Sequence, residues 1–207
     1  MLDCKEGYRN MEHNRLENQI RFIIEIDKLK RVGRQTVLMD RSRLENDAEH
    51  SWHLAVMAML LSEYAGENNL DLFRVIKMVL IHDVVEIDAG DTYCYDDDAI
   101  ETQMKREEKA ADRIFSLLPE DQSREIRLLW KEFNDRKTPE ARFAAALDRL
   151  QPLLHNYNTN GLMWKKNGIR SDQVLSRNRP IKDGAPTLWD YAVGLIDDAV
   201  GKGFLVR

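Results

Sequence analysis

The apolar residues of this chain recur at helical rather than strand spacing, and one of the stripes they form contains an acid. Leu72, Val75, Ile76, Val79 and Leu80 begin the stripe and Ile87 continues it, the spacing of one buried helical face. Asp83 falls four residues after Val79 and four before Ile87. His82 and Glu86 flank it at helical neighbour spacing. An ionised carboxylate is costly to bury unless it is paired, protonated or given a metal, so Asp83 needs a partner.

The same periodicity predicts helices over about 12–30, 49–66, 71–87, 99–118, 120–136, 139–157 and 186–200. Asp71 is placed to cap the third, and Thr138 followed by Pro139 is a cap-then-proline start for the sixth. Leu16, Ile20, Ile23 and Ile24 form the apolar side of the first helix, and Leu54, Met57, Leu60 and Leu61 that of the second. Trp52 and Trp130 read as core, and the acidic run Asp96–Asp98 as a cap for the helix that follows. No alternating run is long enough to predict a sheet. Segments 31–48, 88–98 and 158–184 connect helices but carry too many apolar residues for free linkers. The expectation is one all-α domain over residues 1–207, with its core at about 15–160 and a C-terminal helical extension at about 161–207.

Composition narrows the function. A net charge of −5 argues against a general nucleic-acid binder. Cys4 and Cys94 form no disulfide framework or zinc-knuckle spacing, no apolar run approaches membrane-spanning length, and the polar N-terminus is unlike a signal peptide. A cytoplasmic protein is expected.

Asp148 repeats the anomaly of Asp83, lying between Leu147 and Leu150 in "FAAALDRLQPLL". Pro152, four residues on, cannot donate to the Asp148 carbonyl. The histidines are few and grouped: His50 and His53 in "AEHSWHLAV", His82 before Asp83, and His155 after Asp148. Two or three imidazoles with two carboxylates suit one divalent ion of intermediate hardness, namely Mn, Fe, Co, Ni or Zn. Adjacent His82 and Asp83, about 100° apart on a helix, can reach one ion from a single turn.

"EHSWH" at a helix start, "HDVVEIDAGD" at the next helix end and an Asp within a later helix together resemble the HD-domain metal-dependent phosphohydrolases. The resemblance is greatest to their 5′-deoxynucleotidase-like branch and covers most of residues 15–160. It implies His50, His82, Asp83 and Asp148 as metal ligands, with His53 competing for the place of His50. Glu86 matches the glutamate of HD-x-x-E and Asp91 the aspartate of the following G-D, both as catalytic residues. In such a site the ion activates water for attack on phosphorus, and Glu86 orients that water or passes a proton to the leaving alkoxide. Asp91 would accept from a ribose hydroxyl or hold a water.

The stretch "KLKRVGRQTVLMDRSR" reverses the sign of an acidic chain just before the first motif, which suggests phosphate contacts. Arg31 and Arg34 lie in a position like that of the family's phosphate-binding arginine. The aromatic neighbour of that arginine is missing here. The expected activity is a phosphomonoesterase for nucleoside 5′-monophosphates or similar small phosphate esters, in a homodimer. Two alternatives stay open: pyrophosphohydrolysis of a nucleotide or alarmone, and a non-catalytic metal-containing binding module.

Overall fold

The computed structural model describes the backbone of residues 2–91 and 97–207 and the side chains of residues 14–91 and 102–207. Cys94 and the Asp96–Asp98 cap lie outside the described side chains. Helix α1 (Leu2–Ile26) runs into a 3-10 turn at Asp27–Arg31 and then an antiparallel hairpin, β1 (Gly33–Val37) and β2 (Leu44–Asn46). The helices that follow are α2 (Asp47–Leu61), α3 (Leu72–Ile81), α4 (Glu86–Ala89), α5 (Asp97–Phe115), α6 (Glu120–Asp135) and α7 (Pro139–Asn158). Helices α8 (Leu162–Lys166), α9 (Ser171–Asn178), α10 (Pro180–Gly184) and α11 (Pro186–Gly201) complete the chain.

The starts of these helices follow from local hydrogen bonding. Asn46 and Glu49 form a reciprocal capping box at α2, with Glu49 N–H donating to Asn46 Oδ1 at 3.0 Å and Asn46 N–H to Glu49 Oε2 at 3.2 Å. Asp71 caps α3 by accepting from Arg74 N–H at 3.0 Å. Thr138 caps α7 by accepting from Ala141 N–H, with Pro139 in the first helical turn.

Helix α7 is the axis of the molecule. Phe143, Ala144, Ala146 and Leu147 are fully buried, and α2, α3, α6 and the C-terminal helices pack around them. Ile181, Leu188, Ala192 and Ile196 share this core with Leu54, Val75 and Met78, so the chain beyond residue 160 completes the same hydrophobic interior. A second cluster joins Leu29, Val84 and Val85 to Ala111, Ile114, Phe115 and Trp130.

Four readings change. The third helix does not continue to Ile87. After His82 the amides of Val84, Glu86, Ile87 and Asp88 reach back three residues, Val84 N–H to Ile81 O at 3.1 Å and Glu86 N–H to Asp83 O at 2.9 Å. His82 and Asp83 therefore sit in a tightened turn between α3 and α4, turned into the site instead of along a stripe. The hairpin at 33–46 was not expected. Its buried positions are polar (Thr36, Glu45), so its strands lack the apolar alternation that reveals a sheet. Segment 158–184 contains three short helices rather than connection alone. Trp52 is 64% exposed, as the stripe at Leu54 and Met57 turns inward and leaves Trp52 on the outer face with Leu60.

Candidate metal centre

Four side chains from three elements converge beside the middle of α7. His50 comes from the first turn of α2, His82 and Asp83 from the turn after α3, and Asp148 from α7. All four are buried. His50 Nε2 lies 3.1 Å from Asp148 Oδ1 and 3.9 Å from Asp83 Oδ2, while His82 Nε2 lies 3.1 Å from Asp83 Oδ1 and 3.8 Å from Asp148 Oδ1. The Nδ1 of His82 is 2.9 Å from the carbonyl of Val79, a donor position that leaves Nε2 free to face the acids.

The donor set fits a divalent ion of the transition series, with two imidazoles and two carboxylates. His82 Nε2 is buried beside both carboxylates yet makes no well-directed hydrogen bond to either, as expected of a lone pair aimed at a shared cation. Burial opposes charge on His82, but Asp83 and Asp148 outweigh it and push the imidazole up to about 10. His50 behaves oppositely: burial, reinforced by Arg34, lowers it to about 4 against the pull of Asp148. Burial would raise Asp83, but His82 and Arg34 overcome it and bring the carboxyl down to about 2. Asp148 is likewise held well below the usual carboxylate range despite its burial, by Arg149, His50 and His82. Without an ion, the acids thus hold His82 in its charged form, and a divalent ion would take the place of that proton.

His53 does not join this group. Although one turn from His50, it faces Gln151, with its Nδ1 3.4 Å from Gln151 Nε2. The three-residue step rotates it away from Asp148.

A solvent-open cleft of about 190 Å³ stands over the cluster. Asp83, His82 and Asp148 form part of its wall together with Glu86, Asp91 and Arg34. Glu86, at the head of α4, is raised well above its ordinary value by burial and by Asp83, Asp47 and Asp91. Gly90 ends α4 with φ +75°, a conformation natural to glycine, and Asp91 follows it into the cleft, its carboxyl raised by burial.

Arg34 reaches in from β1, with Nη1 2.9 Å from Asp83 Oδ2 and 3.2 Å from Asp47 Oδ1, and Nε 3.5 Å from Glu45 Oε2. Arg31 is exposed at the end of the 3-10 turn and does not line the cleft. Arginines 136, 149 and 177 do line it, along with Trp164 and Asn178. Sequence reasoning missed these because they come from the end of α6, from α7 and from α9, and only folding brings them to one wall. Asp47 was missed as well. It sits at the start of α2, where an acid ordinarily faces solvent, yet it is 0% exposed because the hairpin folds over it. Its position directly after the capping Asn46, against the basic stretch, was the available signal.

A crystal structure titled "Predicted metal-dependent phosphohydrolase" from Magnetospirillum magnetotacticum MS-1 superposes with a TM-score of 0.90 at 52% identity, covering 94% of this chain and 97% of that one. A conserved hypothetical protein from Pyrococcus furiosus shares the fold at a TM-score of 0.58 and 21% identity, covering 87% of this chain and 98% of its own. Proteins named 5′-deoxynucleotidase HDDC2 are 33% identical in Homo sapiens and 34% identical in Mus musculus, each over 136 residues. Each match covers 65% of this chain, and 65% and 66% of the human and mouse proteins, just under two thirds of these curated relatives. Among the described residues no helix is long and apolar enough to cross a membrane. The family model described as "HD domain" matches residues 26–189, a span that holds the entire site, and the chain belongs to the HD-domain family.

Proposed function

We propose that this protein is a divalent-metal-dependent phosphomonoesterase acting on nucleoside 5′-monophosphates or related small phosphate esters. The observation that carries the reading is the convergence of His50, His82, Asp83 and Asp148 beneath a cleft whose walls present Arg34, Arg136, Arg149 and Arg177. The names of the human and mouse relatives support the nucleotide assignment.

One ion of Mn, Co, Fe, Ni or Zn would be held by His50, His82, Asp83 and Asp148. When bound, it supplies Lewis acidity toward a phosphoryl oxygen and lowers the pKa of water. The protein's own groups do the rest. Arg34 and the other cleft arginines bind and orient the phosphate. Glu86, pushed toward its protonated form by burial and by its acidic neighbours, stands beside the HD pair and orients the attacking water or passes a proton to the leaving 5′-alkoxide. Asp91 accepts from a sugar hydroxyl at the cleft edge.

The reading extends to a cytoplasmic homodimer. Its support is the exposed apolar face of α1, where Leu16, Ile20 and Ile23 line a groove with Leu80, a face suited to a second copy.

The test is a phosphate-release screen of nucleoside mono-, di- and triphosphates and sugar phosphates, using stripped protein with each metal added back. Orthophosphate from a 5′-monophosphate, dependent on metal, is expected. Pyrophosphate from a triphosphate or alarmone would replace the proposal with a pyrophosphohydrolase. No turnover with any metal would reduce the protein to a binding module.

A further inference from the structure

Behind the centre just described lies a second cluster that the proposed reaction does not use. Glu45 of β2, His53 of α2 and His155 of α7 bring a carboxylate oxygen and two imidazole nitrogens to within 4.8 Å of one another. Glu45 and His155 are buried and His53 is half-buried. Gln151, which is 0% exposed, projects its Nε2 among them, 2.5 Å from Glu45 Oε1, 3.0 Å from His155 Nε2 and 3.4 Å from His53 Nδ1.

This hydrogen bonding does not balance. An amide nitrogen carries two protons, which Glu45 Oε1 and His155 Nε2 take up, and the His53 ring nitrogen stands as a third neighbour at 3.4 Å. Gln151 Oε1, on the other side of the same amide, is buried without any partner, which is costly in a protein interior. A carboxylate and two imidazole nitrogens around one point, with the buried amide oxygen unsatisfied next to them, make a donor set that one cation could satisfy together.

His155 is also prepared as a ligand. Its Nδ1 lies 3.0 Å from the carbonyl of Val37, which places the ring proton on Nδ1 and turns the Nε2 lone pair toward the cluster. His82 is organised in the same way by Val79. A backbone carbonyl behind the imidazole is the usual orienting contact of a metal-ligating histidine. His155 Nε2 and Glu45 Oε1 are 3.7 Å apart, the separation of two donors each about 2.1 Å from one ion.

We infer that Glu45, His53, His155 and Gln151 form a second divalent-metal site, distinct from the His50–His82–Asp83–Asp148 centre and specific for a borderline ion such as Zn, Co or Ni. Loading rotates the Gln151 amide aside, and its Oε1 becomes the fourth ligand. None of the four residues lines the cleft, and all four coordination positions are supplied by protein, the arrangement of a structural ion. Such an ion would clamp β2, and through Val37 also β1, onto α2 and α7. It would thereby fix the strand that carries Arg34. The assignment stands independently of the phosphomonoesterase reading.

Metal content after desalting and calorimetric titration of stripped protein with zinc test it. The parent is expected to bind two ions per chain, and His53→Ala and Asp148→Asn one each. His53→Ala removes a half-buried ring with a single polar contact, so the variant should fold and should weaken the second binding event by at least ~100-fold. Gln151→Glu supplies the clearest sign. With a metal in the site, the new carboxylate tightens binding by at least ~10-fold and zinc raises the melting temperature more than in the parent. In a purely hydrogen-bonded network the same change sets two acids against each other, and zinc stabilises the variant no more than the parent. One ion per chain in the parent, or two ions retained by His53→Ala, overturns the proposal. So does a Gln151→Glu variant whose zinc-induced rise in melting temperature is no larger than the parent's.

Discussion

Replacing Arg34 by Gln tests whether this guanidinium supports the site before any substrate arrives. Its Nη1 lies 2.9 Å from Asp83 and 3.2 Å from Asp47, and its side chain is 13% exposed. At an effective dielectric constant of about 20, charges at these separations attract by roughly 5–6 kcal/mol each, much of it offset by the desolvation of the ions. Removing one partner of such a buried pair costs about 3–5 kcal/mol, since the acids left behind have no counter-charge. In a chain of this size that corresponds to a fall in melting temperature of about 6–20 °C. A divalent ion on Asp83 restores part of the missing positive charge, so the thermal shift on adding metal should be larger in the variant than in the parent. Linkage alone gives about 2.7 kcal/mol at a free concentration 100 times the dissociation constant. Scanning calorimetry of both proteins, stripped and metal-loaded, gives the comparison. A fall below about 3 °C, with equal metal shifts, would refute the idea that Arg34 holds the buried acids together and would leave it only a substrate contact.

Three further outcomes are expected. Asp148→Asn should lose the ion of the His50–His82–Asp83 centre, read as metal content after desalting, while circular dichroism stays that of the parent. Glu86→Gln keeps the shape of the side chain but cannot supply a proton, so kcat should fall by ~10²–10⁴ with metal content and KM little changed, measured on a nucleoside 5′-monophosphate. Gly184→Ala should destabilise the fold by about 1–3 kcal/mol in thermal melts, because a Cβ there would stand 2.1 Å from the Arg142 carbonyl oxygen and 2.9 Å from Phe143 N, both backbone atoms that cannot step aside cheaply.

The fold was legible in the sequence wherever apolar residues kept helical time, and it failed at particular places for particular reasons. The cap-then-proline start at Thr138–Pro139 and the Asp71 cap are local chemistry, decided within four residues, and both form as read. The hairpin escaped because its strands are only five and three residues long and their buried positions are Thr36 and Glu45. Hydrophobic periodicity has nothing to detect in strands whose inner face serves a polar site. Trp52, Leu60 and Leu80 were read as interior on residue type and spacing, yet each is exposed. A helix whose apolar residues exceed one stripe gives no local indication of which of them meets a neighbour.

The site was legible to the extent that it broke the rules of its surroundings. Asp83 and Asp148 stood out because an acid beside Val79 or Leu147 conflicts with burial, and the conflict itself signals a cation. Asp47 broke no local rule, since an acid in the first turn of a helix is favourable wherever it points. Only the hairpin, laid across it, converts an ordinary first-turn acid into a buried one that needs Arg34. Arg34 in turn looked like a free phosphate anchor from its neighbours in the chain, whereas its nearest partners are Asp83, 49 residues away in sequence, and Asp47, 13 away. The acids gathered here, Asp47, Asp83, Glu86, Asp91 and Asp148, outnumber the cations that touch them, Arg34 and Arg149. Burial, together with that excess, drives Glu86 and Asp47 toward their protonated forms, and the acids overcome burial to drive His82 toward its charged form. On the proposed reading, a divalent ion held by His50, His82, Asp83 and Asp148 would take the place of the His82 proton and add positive charge to the wall that a phosphate would face, so metal would bind before substrate.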